Sequence, residues 1–119
     1  MATADNDRRI DYVELPAKDV AASKRFYTAA FGWNYQDWGP DYADTNDGRL
    51  GSGLNGTADS GLRAPLVVIY AVDLEAARDR VRAAGGRIAR DIFSFPGGRR
   101  FHFLDPAGNE LAVWSQQPS

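Results

Sequence analysis

Two helix signatures of equal length, set 54 residues apart, constrain this 119-residue chain more than any other feature. In the first, Asp19 offers an N-cap oxygen and Val20, Phe26, Tyr27, Ala30 and Phe31 follow at near-helical spacing. Gly32 stops the run, so a helix is expected over 20–30. In the second, Asp73 caps Leu74, Ala77, Val81 and Ala84, and Gly85-Gly86 closes the segment. Asp19 to Gly32 and Asp73 to Gly86 are both 13 positions. The flanks repeat as well. Arg9 to Leu15 alternates apolar and polar side chains at the strand period and ends at Pro16. Trp33 to Trp38 alternates again, a short strand follows near Tyr42–Thr45, and a hairpin signal at Asn46-Asp47-Gly48 leads into Arg49–Leu54. In the second half Leu66–Val72, Arg87–Ile92, Arg100–Leu104 and Glu110–Ser115 read as strands, parted by Gly- and Pro-bearing turns.

Strand, helix, three strands therefore occurs twice, as βαβββ modules at about 9–56 and 64–115 of one domain spanning 9–115. One such unit leaves a sheet face uncovered, so the two must pack or pair. The expected α+β fold has eight strands in a curved mixed sheet around a concave cleft able to take a small ligand. Residues 1–8 are small, polar and charged and read as a disordered N-terminus, with 116–119 as a tail.

Composition narrows the chemistry. The absence of Cys removes disulfides, thiolate zinc sites, iron–sulfur clusters and a cysteine nucleophile, and a single His removes any site needing several imidazoles from one chain. A net charge of −2 carries no footprint for nucleic acid. The longest apolar stretch, Leu66–Val72, is too short for a bilayer, and Met1–Asp7 lacks a secretory hydrophobic region, so a cytoplasmic protein with no membrane partner is expected. Gly51-Ser52-Gly53-Leu54-Asn55-Gly56 fits a dinucleotide fingerprint, but Gly61 and Pro65 forbid the helix that would bind phosphate. Three Trp, five Tyr and six Phe supply ample flat surface for a small domain.

The segments Ile10-Asp11-Tyr12-Val13-Glu14-Leu15-Pro16, Lys24-Arg25-Phe26-Tyr27 and Phe31-Gly32-Trp33 resemble the opening of the vicinal oxygen chelate superfamily, which includes glyoxalase I, bleomycin-resistance proteins and extradiol dioxygenases. Val72-Asp73-Leu74, Pro96-Gly97-Gly98-Arg99 and Phe103-Leu104-Asp105-Pro106-Ala107-Gly108-Asn109 resemble its second half. The resemblance implies a divalent metal held by His and Glu side chains. Carried over, those ligand positions fall on Tyr12, Ser52, Val67 and Ala112, none of which is a His or a carboxylate. No metal and no other cofactor is therefore expected. The resemblance also implies a homodimer.

His102 lies three residues before Asp105, where the extradiol dioxygenases carry an active-site Tyr, so it is expected to face the cleft as an acid–base group or hydrogen-bond donor. A packed histidine beside Phe101 and Phe103 is the competing reading. Tyr12 and Glu14 share one face of the first strand, and Glu110, Ala112 and Trp114 share one face of the last. Catalytic candidates are His102, Glu14 and Glu110. Ligand-binding candidates are Tyr12, Trp38, Ser52, Val67, Ile69, His102, Ala112 and Trp114. Two functions remain open: a metal-independent protein that binds a small aromatic or cationic molecule, or a glyoxalase- or dioxygenase-like lyase, isomerase or oxygenase using His102 with Glu14 or Glu110, with or without a relocated metal. The chain read as a purely dimerising module is the third, blander possibility.

Overall fold

A computed structural model describes residues 4–46, 49–57 and 63–116. In chain order the elements are β1 (Arg9–Pro16), α1 (Val20–Phe31), β2 (Gln36–Asp37), β3 (Tyr42–Thr45), β4 (Gly51–Asn55), β5 (Leu66–Tyr70), α2 (Leu74–Ala83), β6 (Arg87–Phe95), β7 (Gly98–Leu104) and β8 (Glu110–Ser115). Two compact units result. One is Tyr12–Leu66, and the other joins 4–11 to 67–116. They are called module 1 and module 2 below.

Each module follows the same path. Its strand order is β2-β3-β4-β1 in module 1 and β5-β8-β7-β6 in module 2. The first strand lies parallel to the last (β1 with β4, β5 with β8), and the last three strands form an antiparallel meander. A parallel pair needs a long crossover, which the helix and two intervening strands supply. Both caps behave as their sequence implies: Asp19 Oδ1 accepts from Ala22 N–H and Asp73 Oδ1 from Ala76 N–H, each at 3.0 Å. Past the helix ends, Gly32 and Gly85 take the left-handed conformation that ends a helix, with φ of 76° and 97°.

The helices choose which sheet face becomes core. In module 2, Ala71, Leu74, Phe101 and Val113 are buried together, with Ile69, Ala77, Val81, Ile88, Ile92 and Phe103 packed around them. In module 1, Ala17, Val20, Ala43 and Leu54 form a smaller cluster flanked by Leu15, Tyr27 and Tyr35. Because side chains alternate along a strand, the residues between these point to the other face.

Several boundaries differ from expectation. The strand expected over Trp33–Trp38 is reduced to Gln36–Asp37. Trp33 is held against α1 instead: its ring stacks on Tyr27 at 5.1 Å and its carbonyl accepts from Thr28 Oγ1 at 2.6 Å. Strand β6 runs to Phe95 rather than Ile92, and β5 stops at Tyr70. The described part of the expected disordered N-terminus is structured. Residues Ala4–Asn6 form a 3-10 turn, Arg8 N–H donates to Tyr70 O at 2.7 Å, and Asp7 Oδ1 accepts from Val72 N–H at 2.8 Å. Ala71 N–H still donates to Trp114 O of β8 at 2.9 Å, and the N-terminal segment takes the bonds of Tyr70 O and Val72 N–H. The hairpin residues Asp47 and Gly48, the loop 58–62 and residues 117–119 of the tail lie outside the described residues. No helix among those described is long and apolar enough to cross a membrane.

Candidate functional site

The face of the module 2 sheet turned away from α2 gathers most of the chemistry. The β7–β8 register sets His102 opposite Ala112 and Arg100 opposite Trp114, so all four share this face with Glu110. The Asp105–Asn109 turn fixes that register. Asp105 Oδ1 accepts from the Ala107 and Asn109 N–H groups at 2.9 Å, and its Oδ2 from Asn109 Nδ2 at 3.0 Å. The Asn109 bonds hold the Asp105 carboxyl below its usual range. Along β5, Val68 pairs with Ala112 and Tyr70 with Trp114. Along β6, Arg90 stands opposite His102 and Phe93 opposite Arg100.

These side chains form an aromatic and cationic surface. Tyr70 meets Trp114 edge-on at 5.2 Å, and Phe95 lies 6.2 Å from Trp114. The Trp114 indole is fixed by donating from Nε1 to Asp11 Oδ2 at 3.0 Å, and Asp11 in turn accepts from Asn6. The Arg90 guanidinium sits 3.6 Å from the Phe93 ring centre, and that of Arg100 lies between Phe93 and Phe95 at 5.5 and 5.8 Å.

His102 is 4% exposed and has its ring 5.8 Å from Phe93. The aromatic neighbour is therefore Phe93 of β6, since Phe101 and Phe103 point to the α2 core. Nδ1 lies 2.8 Å from Glu110 Oε2. A carboxylate only accepts, so Nδ1 carries the proton and Nε2 is the bare acceptor of a neutral ring. Nε2 is buried and has no hydrogen-bond partner among the described residues. Burial pushes the imidazole pKa below its ordinary value, Arg100 and Arg90 push the same way, and Glu110 opposes them.

Module 1 carries a different cluster on its corresponding face. Tyr12 and Glu14 of β1 share it with Tyr42 of β3 and with Gly53 and Asn55 of β4. The Tyr12 and Tyr42 hydroxyls are hydrogen-bonded to each other. Tyr42 Oη donates to Glu14 Oε2 and Asn55 Nδ2 to Glu14 Oε1, both at 3.3 Å. Both phenols are held protonated, chiefly by burial. Gly53 makes room for the pair, because a Cβ there would lie 1.9 Å from Tyr12 Oη and 2.3 Å from Tyr42 Oη.

Not all the expected residues lie on these faces. Ser52 pairs with Val13 and Thr45 and shares their side of the sheet with Leu54, on the α1 side. Val67 pairs with Leu111 and alternates in phase with Ile69, which packs into the α2 core. Ser52, Val67 and Ile69 are thus on the helix side, opposite in sense to Tyr12 and Ala112. A slip of one residue along a strand reverses the face. The 54-residue repeat itself carries Tyr12 to Leu66 and Glu14 to Val68, which would have given the right phase. Trp38, 64% exposed, joins none of the aromatic contacts. Tyr42, Tyr70, Arg90, Phe93, Phe95 and Arg100 are residues of these faces that the sequence patterns did not single out. Arg100, Tyr42 and Phe93 follow the strand alternation, whereas Arg90 depends on bulges in β6 that no local pattern announces. A groove of about 460 Å³ lies on the helix side of module 2, bounded by Arg8, Val72, Ala76, Arg80 and Phe103, and shares no residue with the aromatic face.

The family model whose pattern the chain matches, over residues 9–113, describes the Glyoxalase/Bleomycin resistance protein/Dioxygenase superfamily. The chain belongs to this superfamily. Among curated relatives, the anthracycline biosynthesis protein DnrV of Streptomyces peucetius is 33% identical over 124 aligned residues, covering 87% of this chain and 45% of that protein. The chain spans less than half the length of the curated relatives it matches. Methylmalonyl-CoA epimerase from Mycobacterium tuberculosis superposes with a TM-score of 0.71 at 15% identity, covering 100% of this chain and 93% of that one. A superfamily member from Vibrio splendidus 12B01 gives 0.66 at 19% identity, covering 91% and 98%. At such identities the solved structures establish the fold alone.

The superfamily's metal does not fit the residues present. The positions carried over from the resemblance are Tyr12, Ser52, Val67 and Ala112, and the residues of β4 and β5 in phase with Tyr12 and Ala112 are Gly51, Gly53, Leu66 and Val68. Aliphatic side chains, glycines, a serine and a protonated phenol offer a divalent cation no carboxylate and no imidazole. Among the described residues no group of three His, Asp or Glu is arranged to hold an ion.

Proposed function

We propose that this superfamily member binds a small planar organic molecule without a metal, on the aromatic face of module 2. The observation that carries the proposal is that face itself: Tyr70, Phe93, Phe95 and Trp114 with Arg90, Arg100 and His102, around a family metal position occupied by Ala112. Aromatic rings supply stacking area, and guanidinium groups add attraction for electron-rich or anionic substituents. Two arginines on this face favour the aromatic part of the expected ligand class over the cationic part. The anthracycline role in the name of DnrV is consistent with a planar ligand.

The direct experiment is calorimetric titration of the protein, dialysed against EDTA, with a panel of neutral, anionic and cationic aromatic compounds. Saturable binding of uncharged or anionic members is expected. Heat from none of the panel, with the protein folded by circular dichroism, would end the proposal.

The 2.8 Å contact between His102 and Glu110 favours a second reading, proton transfer within the bound molecule by a carboxylate–imidazole pair. Glu14, the other candidate partner, is committed to Tyr42 and Asn55 in its own module. Exchange of an acidic C–H of the ligand with deuterium from solvent, lost in His102→Gln with binding retained, would support this reading. A homodimer is part of the proposal as well, and light scattering is expected to give twice the 13.0 kDa chain mass.

A further inference from the structure

Strand β6 is the edge of the module 2 sheet, and its pairing with β7 shifts twice, between Ile88 and Arg90 and between Arg90 and Phe93. Each shift inserts one extra residue in β6, so Arg90 stands between two bulges. A bulge redirects a side chain and loosens the local ladder. Here the first bulge brings Arg90 opposite His102, and the second brings Phe93 to the same face opposite Arg100. Without them, plain alternation from Ile88 and Phe103 would not place both on this side.

Three contacts then form a chain. The exposed Arg90 guanidinium rests on the Phe93 ring at 3.6 Å and makes no ion pair among the described residues. The same ring also lies 5.5 Å from the Arg100 guanidinium and 5.8 Å from the His102 ring. The imidazole ends in Nε2, a buried acceptor with no donor. A guanidinium over a phenyl ring is a weakly held arrangement compared with a two-pronged bond to a carboxylate. An arriving carboxylate would draw Arg90 off Phe93 and free the ring face it covers, with Arg100 still 5.5 Å from the ring centre. A buried acceptor without a donor is costly, so a ligand that brings a hydroxyl to Nε2 gains where one without it does not.

We propose that Arg90 and His102 determine specificity for an aromatic carboxylic acid bearing a ring hydroxyl: Phe93 is the stacking surface, Arg90 pairs with the carboxylate, and His102 Nε2 accepts the hydroxyl proton's hydrogen bond. Glu110, bonded to Nδ1, holds the ring in the tautomer this requires. The assignment rests on the aromatic binding proposed above and names its ligand class.

The test titrates the full chain with 2- and 3-hydroxybenzoate, benzoate, phenol and 2-naphthol, following Trp fluorescence and heat. The better hydroxybenzoate is expected to bind about tenfold more tightly than either benzoate or phenol. Arg90→Ala should weaken that acid by about tenfold and leave phenol within about twofold, with Arg90→Lys intermediate because the charge stays and the fork is lost. His102→Gln should erase the advantage of hydroxybenzoate over benzoate, and His102→Asn serves should that variant melt early. Arg80→Ala, on α2, should change nothing. Binding of 2-naphthol with no preference for the hydroxy acid, or with Arg90→Ala unchanged, would overturn this assignment and leave aromatic binding standing. No binding by any of the five would overturn both.

Discussion

Modules 1 and 2 repeat one chain path at an offset of 54 residues, and the repeat extends to single interactions. Lys24 Nζ bonds Asp37 at 2.5 Å, and 54 positions on Arg78 bonds Asp91 at 3.0 Å, each pair tying the helix to the strand that follows it. What the modules do with the path differs. Module 2 has long strands, an aliphatic and aromatic core under α2, and an outer face of rings and guanidinium groups. Module 1 has β2 of two residues, a core of small side chains, and a helix that leaves Phe26 and Phe31 more than 60% exposed. Its corresponding face is closed by a tyrosine pair on a carboxylate. The duplicated scaffold differs by halves: a hydrogen-bonded tyrosine–carboxylate cluster on one face, rings and guanidinium groups on the other.

Substitutions separate the halves. Phe101, fully buried in module 2, should cost about 3–5 kcal/mol when changed to Ala, while Leu54→Ala in the smaller module 1 core should fall near about 2–3 kcal/mol, both read from urea denaturation. Equal losses would mean that the cores are energetically alike. Next in size, Gly53→Ala drives a methyl into both tyrosine hydroxyls and should cost about 1–3 kcal/mol. Adding Tyr12→Phe, which removes the nearer hydroxyl, should recover part of the loss. Additive losses in that double variant would place the clash elsewhere.

A smaller effect distinguishes module 2 by pH. His102 has its folded pKa below the ordinary 6.5, mainly through burial, so the unfolded chain takes up the proton first as pH falls. Its contribution to stability is present above the unfolded value and is lost on acidification below it. His102→Gln should flatten that part of the stability profile, and an unchanged slope would remove the imidazole as its source. The smallest effects belong to the repeated ion pairs. Lys24→Ala and Arg78→Ala should each shift stability by no more than about 1 kcal/mol, since both pairs have an exposed carboxylate partner.

Much of the fold could be read in advance because its signals are local. Asp19 and Asp73 act as the caps their positions imply, and Glu110–Ser115 matches its expected strand. Glu110, Ala112 and Trp114 share one face of β8 as alternation implies, and His102, placed by the resemblance, stands opposite Ala112. The errors arise where the phase of a strand is set from far away. Val67 and Ile69 belong to a strand whose apolar residues point both ways and Ser52 to one with Leu54 as its single apolar side chain, so counting from a distant turn could place them on either face. The bulges that aim Arg90 are decided by pairing with β7, and the ordering of Asp7 and Arg8 by backbone groups of Tyr70 and Val72. Neither is encoded by neighbouring residues.

Ligand binding on module 2 is proposed to need no metal. The most direct test is the affinity of the EDTA-dialysed protein for 2-hydroxybenzoate, measured by calorimetry before and after adding Ni, Zn, Mn or Fe(II). The donor-free positions at Tyr12, Gly53, Val68 and Ala112 predict the same dissociation constant throughout. Binding that is absent after dialysis and returns with one stoichiometric metal ion would contradict the account.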